Sequence, residues 1–157
     1  MGSVQFGIPR ELTLMLKAKH EIELFTETGT LTGGTTAWAA KNFKSVVTVD
    51  VNKPLPWQEP NIHSAQSDSA LFLERCPPTG PTLFWLDAHT NESCPVLREI
   101  AAINKSPFRH VILVDDSRLF GQLPDWPTAG QVIMELVDGG RRSIYIHEDV
   151  FVAEPCP

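Results

Sequence analysis

The chain has 157 residues, and 13 Lys and Arg against 19 Asp and Glu give it a net charge of −6. This length predicts a single domain, residues 1–157, and the acidic balance, with no cluster of lysines and arginines, argues against nucleic acid as a partner. The apolar runs are shorter than the roughly 20 residues of a membrane span, and a signal-peptide region is lacking, so we expect a cytoplasmic protein without membrane contacts.

The first third of the chain predicts a helix followed by two strands with a helix between them. Residues 9–22 carry apolar side chains at near-helical spacing, and residues 24–28 then form a short apolar run. A helix over residues 35–42 and a strand over residues 46–50 come next. Residues 53–61 contain three prolines, which remove backbone donors and fix φ, so this connection is predicted to be a loop.

The rest of the chain repeats the alternation of strands and helices. The predicted strands cover residues 62–66, 81–87 and 111–114, the helices residues 94–104 and 128–138, and an antiparallel hairpin residues 143–154. Ser67, Asp68 and Ser69 predict the cap of a short helix before the second of these strands. The helix over residues 94–104 is predicted to turn inward Val96, Leu97, Ile100, Ala101 and Ile103.

Strands separated by helices specify a doubly wound α/β domain. We expect a mostly parallel, Rossmann-like sheet with helices on both faces and an antiparallel hairpin at its C-terminal edge. Ligands of such sheets bind beyond the carboxyl ends of the strands. The acids that close the apolar runs would therefore lie along one rim, and they are Glu27, Asp50, Asp87, Asp115 and Asp116.

A glycine turn follows the first predicted strand. Gly29 and Gly33 let the backbone turn tightly, and the helix behind them offers unpaired N–H groups, which is typical of a nucleotide-type cofactor site. Asp50 lies 23 residues beyond Glu27, near the place where dinucleotide folds keep an acid that binds ribose. The alternatives are a plain strand-to-helix connection and an Asp that merely opens a turn.

Two further acidic motifs carry candidate chemistry. Asp87 and His89 follow one fully apolar strand, and Asp115 and Asp116 follow the next. If these strands are neighbours, about 4.8 Å apart, their carboxylates can share magnesium, calcium or manganese. Alternatively, His89 works as a general base. In the purely structural interpretation, the acids cap helices and His89 is a solvated turn residue.

Taken together, these motifs resemble class I S-adenosylmethionine-dependent methyltransferases, and they are most similar to small sugar O-methyltransferases of the macrocin type. The likeness covers about residues 23–154. The segments that carry it are residues 27–30, 33–36, 48–50, 84–89 and 111–116.

The resemblance implies a function and a role for each motif residue. It implies methyl transfer from S-adenosylmethionine to an oxygen of a small-molecule acceptor, with Asp87 and His89 as catalytic residues and magnesium or manganese as a further cofactor. Asp87, Asp115 and Asp116 would hold the metal. The implied cofactor-binding residues are Glu27, Thr28, Gly29, Thr30, Gly33, Thr35, Asp50, Ser67 and Asp68, with Asp50 on the ribose and Ser67 and Asp68 beside the adenine.

Two departures from the family keep other functions open. The turn reads Gly-x-x-x-Gly-Gly instead of Gly-x-Gly-x-Gly, and residues 53–61 stand where the family has a helix. Because the chain is short, we expect a homo-oligomer in which a second copy supplies the missing side of the acceptor site. The alternatives are a metal-dependent phosphoesterase, a non-catalytic cofactor-binding domain, and a nicotinamide oxidoreductase, whose pyrophosphate would meet the charge of Glu27.

Overall fold

The computed structural model of the chain describes residues 7–52, 54–57 and 59–157. The five α-helices in this part are α1 (Arg10–Lys19), α2 (Gly34–Ala40), α3 (Ser69–Arg75), α4 (Val96–Asn104) and α5 (Ala129–Val137). The seven strands are β1 (Leu24–Thr28), β2 (Ser45–Asp50), β3 (Ile62–Gln66), β4 (Thr82–Leu86), β5 (Val111–Val114), β6 (Arg142–His147) and β7 (Val150–Pro155). Among the described residues, no helix is long and apolar enough to cross a membrane.

All seven strands belong to one sheet, in the order β3-β2-β1-β4-β5-β7-β6. Strands β1 to β5 run parallel, while β7 is antiparallel to both β5 and β6. The chain moves outward from β1 in two directions, so the switch point lies between β1 and β4. This confirms the predicted doubly wound sheet and its C-terminal hairpin.

The sheet separates two hydrophobic cores. Phe84 of β4 packs with α3, α4 and α5 on one face, whereas Trp85 packs with α1 and α2 on the other. Successive strand residues point to opposite faces, so β4 contributes side chains to both cores. Strands β4 and β5 are buried along their whole length, as their unbroken apolar sequences predict.

Some helix details differ from the prediction. Helix α1 ends at Lys19, so Ile22 lies beyond it, and α4 begins only at Val96. Helix α4 turns Glu99 and Ala102 inward and leaves Ala101 exposed. The described residues of the loop predicted over residues 53–61 form no helix, as expected, while Lys53 and Gln58 lie outside the described residues.

His110 connects the first residue of β4 to the end of α4. It is 1% exposed, its Nδ1 accepts a hydrogen bond from the Thr82 amide (3.1 Å), and its Nε2 then donates to Ser106 Oγ (2.8 Å). Burial, with help from the charge of Arg142, lowers the pKa of His110 to about 4. The imidazole is therefore neutral in the folded protein.

We expect His110 to make the fold sensitive to acid. Between pH 6.5 and about 4 the unfolded chain binds a proton that folded His110 does not, so stability falls as the pH is lowered through this range. The complete loss is on the order of 3 kcal/mol. Urea unfolding of His110→Gln should show a weaker fall over this range than the parent, while the exposed control His63→Gln keeps the parental fall. Identical profiles for His110→Gln and the parent would contradict this role.

Candidate functional site

The glycine turn touches the ends of both strands that flank β1. Gly29 has a φ of +82°, and its amide donates to the Val49 carbonyl of β2 (2.9 Å). A Cβ at Gly29 would lie 2.7 Å from the Asp87 carbonyl carbon and 2.9 Å from the Ala88 nitrogen. Only glycine allows both this φ and this close approach. The turn is therefore in direct contact with the segment that follows β4.

Gly33 serves a different contact. Its φ is +79°, and a Cβ there would lie 2.6 Å from Leu55 and 2.8 Å from Trp57. The loop that replaces a helix between β2 and β3 thus packs directly on the turn, and Gly33 is buried beneath it. The space that a side chain would take at Gly33 is filled by Leu55 and Trp57, so it is not open to a ligand.

Glu27 lies inside the protein at the end of β1. Its Oε2 accepts hydrogen bonds from Thr36 Oγ1 and from Thr48 Oγ1, the latter at 2.9 Å. Burial raises the pKa of Glu27 to about 7, against these hydrogen bonds and with added repulsion from Asp87 and Asp50. The side chain therefore braces α2 against β2 beneath the turn.

The three threonines of the predicted cofactor set differ in exposure. Thr28 Oγ1 is buried and has no hydrogen-bond partner among the residues described. Thr30 is also buried, with its hydroxyl 2.6 Å from Thr48 Oγ1, whereas Thr35 is partly exposed. The side chains of Thr28 and Thr30 thus face protein, which leaves Thr35 as the accessible one.

Asp50 ties the glycine turn to the loop after β2. Its Oδ2 accepts from the Leu31 amide (3.0 Å), and its Oδ1 accepts from the Asn52 amide (2.8 Å) and side chain (2.9 Å). Partial burial opposes ionisation, but these hydrogen bonds outweigh it and lower the pKa of Asp50. Leu31 and Val51 beside it are 87% and 66% exposed. Two residues with solvent-facing apolar side chains therefore adjoin Asp50, Leu31 through its amide and Val51 as the next residue in the chain.

Ser67 and Asp68 lie next to Asp50, at the end of β3. The Ser67 amide donates to the Asp50 carbonyl (2.9 Å). Asp68 caps α3 by accepting from the Leu71 amide (2.8 Å), and it pairs with Arg98 (3.0 Å). The Leu71 hydrogen bond is the main reason that the pKa of Asp68 is lowered. The cap was expected, whereas the ion pair with Arg98 was not.

Strands β4 and β5 are neighbours, as the shared-metal hypothesis requires, and an acid–histidine cluster lies at their ends. His89 Nε2 is 2.9 Å from Asp116 Oδ2 and 3.4 Å from Asp87 Oδ1. Hydrogen bonding to Asp87 raises the pKa of His89 in spite of partial burial, and the charges of Asp87, Asp116 and Asp115 add to the effect. We call Asp87, His89 and Asp116 the acid–histidine cluster.

Asp115 belongs to a second group of acids. Its ligand oxygen lies within 4.8 Å of those of Asp116 and Asp149, while the acid–histidine cluster satisfies the same limit without Asp115. Burial, followed by repulsion from Asp87, raises the pKa of Asp115 to about 6. The three predicted metal ligands are thus divided between two groups that share Asp116.

Asp149 was not predicted as a site residue. It lies in the hairpin turn just before β7, and β7 pairs antiparallel to β5, which brings it to the carboxyl end of β5. Its Oδ1 accepts from Ser117 Oγ (3.1 Å) and from the Arg118 amide (3.0 Å), and Arg118 also forms an ion pair with it. Only the sheet order could have located it, because a hairpin turn offers no signal of its own.

Comparison with known proteins identifies the fold. No protein-family model and no curated protein matches the chain. The solved structure of the MycE methyltransferase from the mycinamycin pathway, with Mg, SAH and mycinamycin VI, matches 99% of the chain with a TM-score of 0.70 and 15% identity. The chain has the methyltransferase fold. It spans about half of MycE, since 50% of that chain is covered.

Two further methyltransferase structures are covered more completely. A proposed O-methyltransferase from Klebsiella pneumoniae gives a TM-score of 0.66 at 13% identity, with 100% of this chain and 84% of that one covered. A proposed caffeoyl-CoA O-methyltransferase from Staphylococcus aureus gives 0.68 at 12% identity, with 98% and 86% covered. At these identities the likeness concerns the fold alone.

The donor set at the ends of β4 and β5 fits a divalent cation. Carboxylate oxygens suit magnesium and manganese, and an imidazole adds to the case for manganese. Both groups already have partners within the protein: Asp149 is engaged by Ser117 and Arg118, and Asp116 by His89. Arg118 also lies 2.7 Å from Asp116 and brings positive charge to this rim of the methyltransferase fold.

Two cavities lie on the α3–α5 side of the sheet. The larger, about 210 Å³, is at the amino ends of β1, β2 and β4, and none of the predicted site residues lines it. The smaller, about 10 Å³, lies beneath the site and is lined by Asp87, His89, Asp115 and Glu99, among others. This is about the room that one water molecule needs.

Glu99 is the most deeply buried acid near the site. It is 1% exposed, and neither carboxylate oxygen has a hydrogen-bond partner among the described residues. Burial raises the pKa of Glu99 to about 7, and the charge of Asp68 adds to this effect. Near neutral pH the carboxyl therefore holds a proton much of the time.

We expect Glu99→Gln to stabilise the protein in alkali. Because the pKa of Glu99 rises on folding from 4.5 to about 7, its contribution to stability is complete below pH 4.5 and is lost as the pH approaches 7. Gln cannot ionise, so at about pH 8 it should be more stable by on the order of 1–3 kcal/mol, with little difference near pH 4.5. Urea unfolding measures this, with the exposed Glu135→Gln as control. A Gln variant no more stable than the parent at alkaline pH would refute ionisation of Glu99 in the folded state.

Proposed function

We propose that the chain binds S-adenosylmethionine at the carboxyl ends of β1 and β2 and transfers its methyl group to an oxygen of a small molecule. The observation that carries this proposal is the contact between Gly29 and the Asp87–Ala88 backbone. A turn typical of nucleotide cofactors thereby touches the strand end that holds the acid–histidine cluster. A methyl donor and a proton acceptor would lie side by side at one rim, as methyl transfer to a hydroxyl requires.

The region around Asp50 has the chemistry to hold a nucleoside. Asp50 is only partly buried, so its carboxylate can accept a further hydrogen bond from a ribose hydroxyl at its exposed side. The exposed apolar side chains of Leu31 and Val51 would contact the bound nucleoside. Ser67 and Asp68 adjoin it where an adenine would extend. In this proposal the buried Glu27 shapes the turn from beneath.

The acid–histidine cluster would handle the proton of the acceptor. Magnesium or manganese held by Asp87 and Asp116, the two predicted ligands within this cluster, would lower the pKa of the acceptor hydroxyl by Lewis-acid action. With Nε2 of His89 directed at Asp116 and Asp87, the ring nitrogen left to take up the acceptor proton is Nδ1. Asp87 orients the imidazole and balances the charge that forms on it.

The competing functions each leave part of this site unused. A phosphoesterase would use the acid–histidine cluster but would give no role to the glycine turn or to Asp50. A nicotinamide cofactor would bring its pyrophosphate close to Glu27. The solved MycE structure with Mg, SAH and a mycinamycin supports a small-molecule acceptor, and the net charge of −6 disfavours RNA. We also propose a homo-oligomer, in which a second copy of the chain would complete the side of the acceptor site that the short 51–61 connection does not cover.

Calorimetric titration with S-adenosylhomocysteine, NAD and ATP tests the cofactor. The parent should bind S-adenosylhomocysteine, and Asp50→Asn should weaken that binding by a charged hydrogen bond, on the order of 1.5–3 kcal/mol. Glu135→Gln, which removes a charge on the exposed side of α5, should bind as the parent does. Binding of NAD or ATP in preference would favour an alternative function, and equal affinities for Asp50→Asn and the parent would remove Asp50 from the site.

A further inference from the structure

Trp126 contacts the loop of residues 89–93, which follows β4 and carries His89, at two points. We call this segment the catalytic loop. Its ring centroid lies 4.7 Å from that of His89, at an interplanar angle of 61°. Its indole Nε1 donates a 2.8 Å hydrogen bond to the carbonyl of Thr90, the residue after His89. One buried side chain, 6% exposed, therefore contacts both the proposed base and the backbone that follows it.

Trp126 is itself fixed independently of His89. Its ring packs against Phe120 at 5.3 Å, and Phe120 packs in turn against Phe151 of β7 at 5.8 Å. Its amide donates to the Leu123 carbonyl (3.2 Å). These contacts connect the indole to the core on the α3–α5 face, so the core determines its position.

Apart from the contacts of His89 with Asp87 and Asp116, the loop that carries His89 has little other support. Residues 89–93 are exposed, and a single pair of reciprocal backbone hydrogen bonds joins Thr90 to Ser93 (2.8 and 3.4 Å). A local turn of this kind closes the loop on itself but does not attach it to the sheet. Among the described residues, the Trp126 indole is what joins Thr90 to the core.

We propose that Trp126 is a positioning residue that holds His89 in place for proton transfer. The indole ring limits the tilt of the His89 imidazole. The Nε1 hydrogen bond fixes the distance of the Thr90 backbone from the core. This inference rests on the proposed function, because it assigns Trp126 a part in the same reaction. A displacement of 1 Å at a catalytic group can lower the rate about 10²-fold, so a hold of this kind has a measurable effect.

Trp85 provides a matched control. It is also buried, its Nε1 has no hydrogen-bond partner among the residues described, and it packs in the opposite core. Trp85→Phe and Trp126→Phe both remove an indole N–H and the same volume. Only Trp126→Phe removes a hydrogen bond to the catalytic loop.

The experiment combines amide exchange with kinetics. In Trp126→Phe the Thr90 carbonyl loses its hydrogen bond from the indole, so the turn between Thr90 and Ser93 should open more often. The Thr90 amide, which donates to Ser93, should then exchange about tenfold faster. Turnover should fall by about 10–100-fold while affinity for S-adenosylhomocysteine stays within about twofold. Trp85→Phe should change neither. If Trp126→Phe matches Trp85→Phe in exchange and in turnover, Trp126 is only a core residue and the proposal is wrong.

Failure of the proposed function would look different. A parent that binds no S-adenosylhomocysteine overturns the cofactor assignment, whereas the exchange rate of Thr90 is measured without any ligand and still decides whether Trp126 holds the loop. Trp126→Tyr covers the case in which Phe unfolds the protein, since it keeps an aromatic ring with a polar tip. Parental exchange at Thr90 in both variants overturns the inference regardless of activity.

Discussion

His89→Gln should lower turnover by roughly 10²–10⁴-fold, the usual contribution of a positioned proton acceptor. Gln keeps a polar side chain of similar length beside Asp87 and Asp116, but it cannot take up a proton. Affinity for S-adenosylhomocysteine should stay within about twofold, because the proposed cofactor contacts come from the ends of β1, β2 and β3. The loss should therefore appear in kcat and not in cofactor binding.

The measurement first needs an acceptor. Screening sugars, phenols and hydroxy acids with a tritiated methyl donor provides one, after which kcat of the parent and of His89→Gln can be compared. His63→Gln, which changes an exposed histidine on β3, is the control and should keep parental turnover. If His89→Gln methylates the acceptor at the parental rate between about pH 6 and 9, His89 is not the base. The carboxylates with their metal would then be the groups that activate the acceptor hydroxyl.

The order of elements could be predicted because the sequence of each element limits its environment. Unbroken apolar runs such as Leu83–Leu86 are stable only when both faces of the sheet are covered, which places β4 at the centre. The acids at the carboxyl ends of β1, β2, β4 and β5 then lie along one rim of the sheet, because these strands are parallel. These two steps need only local sequence and known sheet geometry.

Glu99 shows why part of the site was not predicted. Val96, Glu99, Ile100 and Ile103 have the i, i+3, i+4, i+7 spacing of one helix face, and the structure buries that face. A charged residue is ordinarily assigned to solvent, so Ala101 was predicted to point inward in its place. The helical spacing places Glu99 on the buried face, whereas its charged side chain favours an exposed position.

Trp126 and Gly33 could not be interpreted locally for another reason. Each is defined by a partner far along the chain, with Trp126 contacting Thr90 and Gly33 lying beneath Leu55. Neither contact follows from a period or a cap. Loop-to-loop packing of this kind depends on the assembled sheet, and it includes the contact of Trp126 with the His89 loop and that of Leu55 with the glycine turn.

Magnesium or manganese should raise the melting temperature of the parent, and Asp116→Asn should remove most of that effect. Asp116 is the acid shared by both candidate groups, so replacing it lowers the ligand count of each. Its φ of +57° is tolerated by Asn, so the change removes charge with little backbone strain. At a metal concentration about 100 times Kd, binding stabilises the folded state by about 2.7 kcal/mol.

The comparison of Asp87→Asn with Asp115→Asn then identifies which group holds the metal. If the acid–histidine cluster is the site, Asp87→Asn should lose the metal-dependent rise in melting temperature, and Asp115→Asn should keep a larger part of it. The opposite order would place the ion among Asp115, Asp116 and Asp149 instead. Glu135→Gln tests for non-specific charge effects and should respond as the parent does. An unchanged metal response in Asp116→Asn would exclude Asp116 as a ligand and leave proton uptake by His89 as the chemistry of this rim.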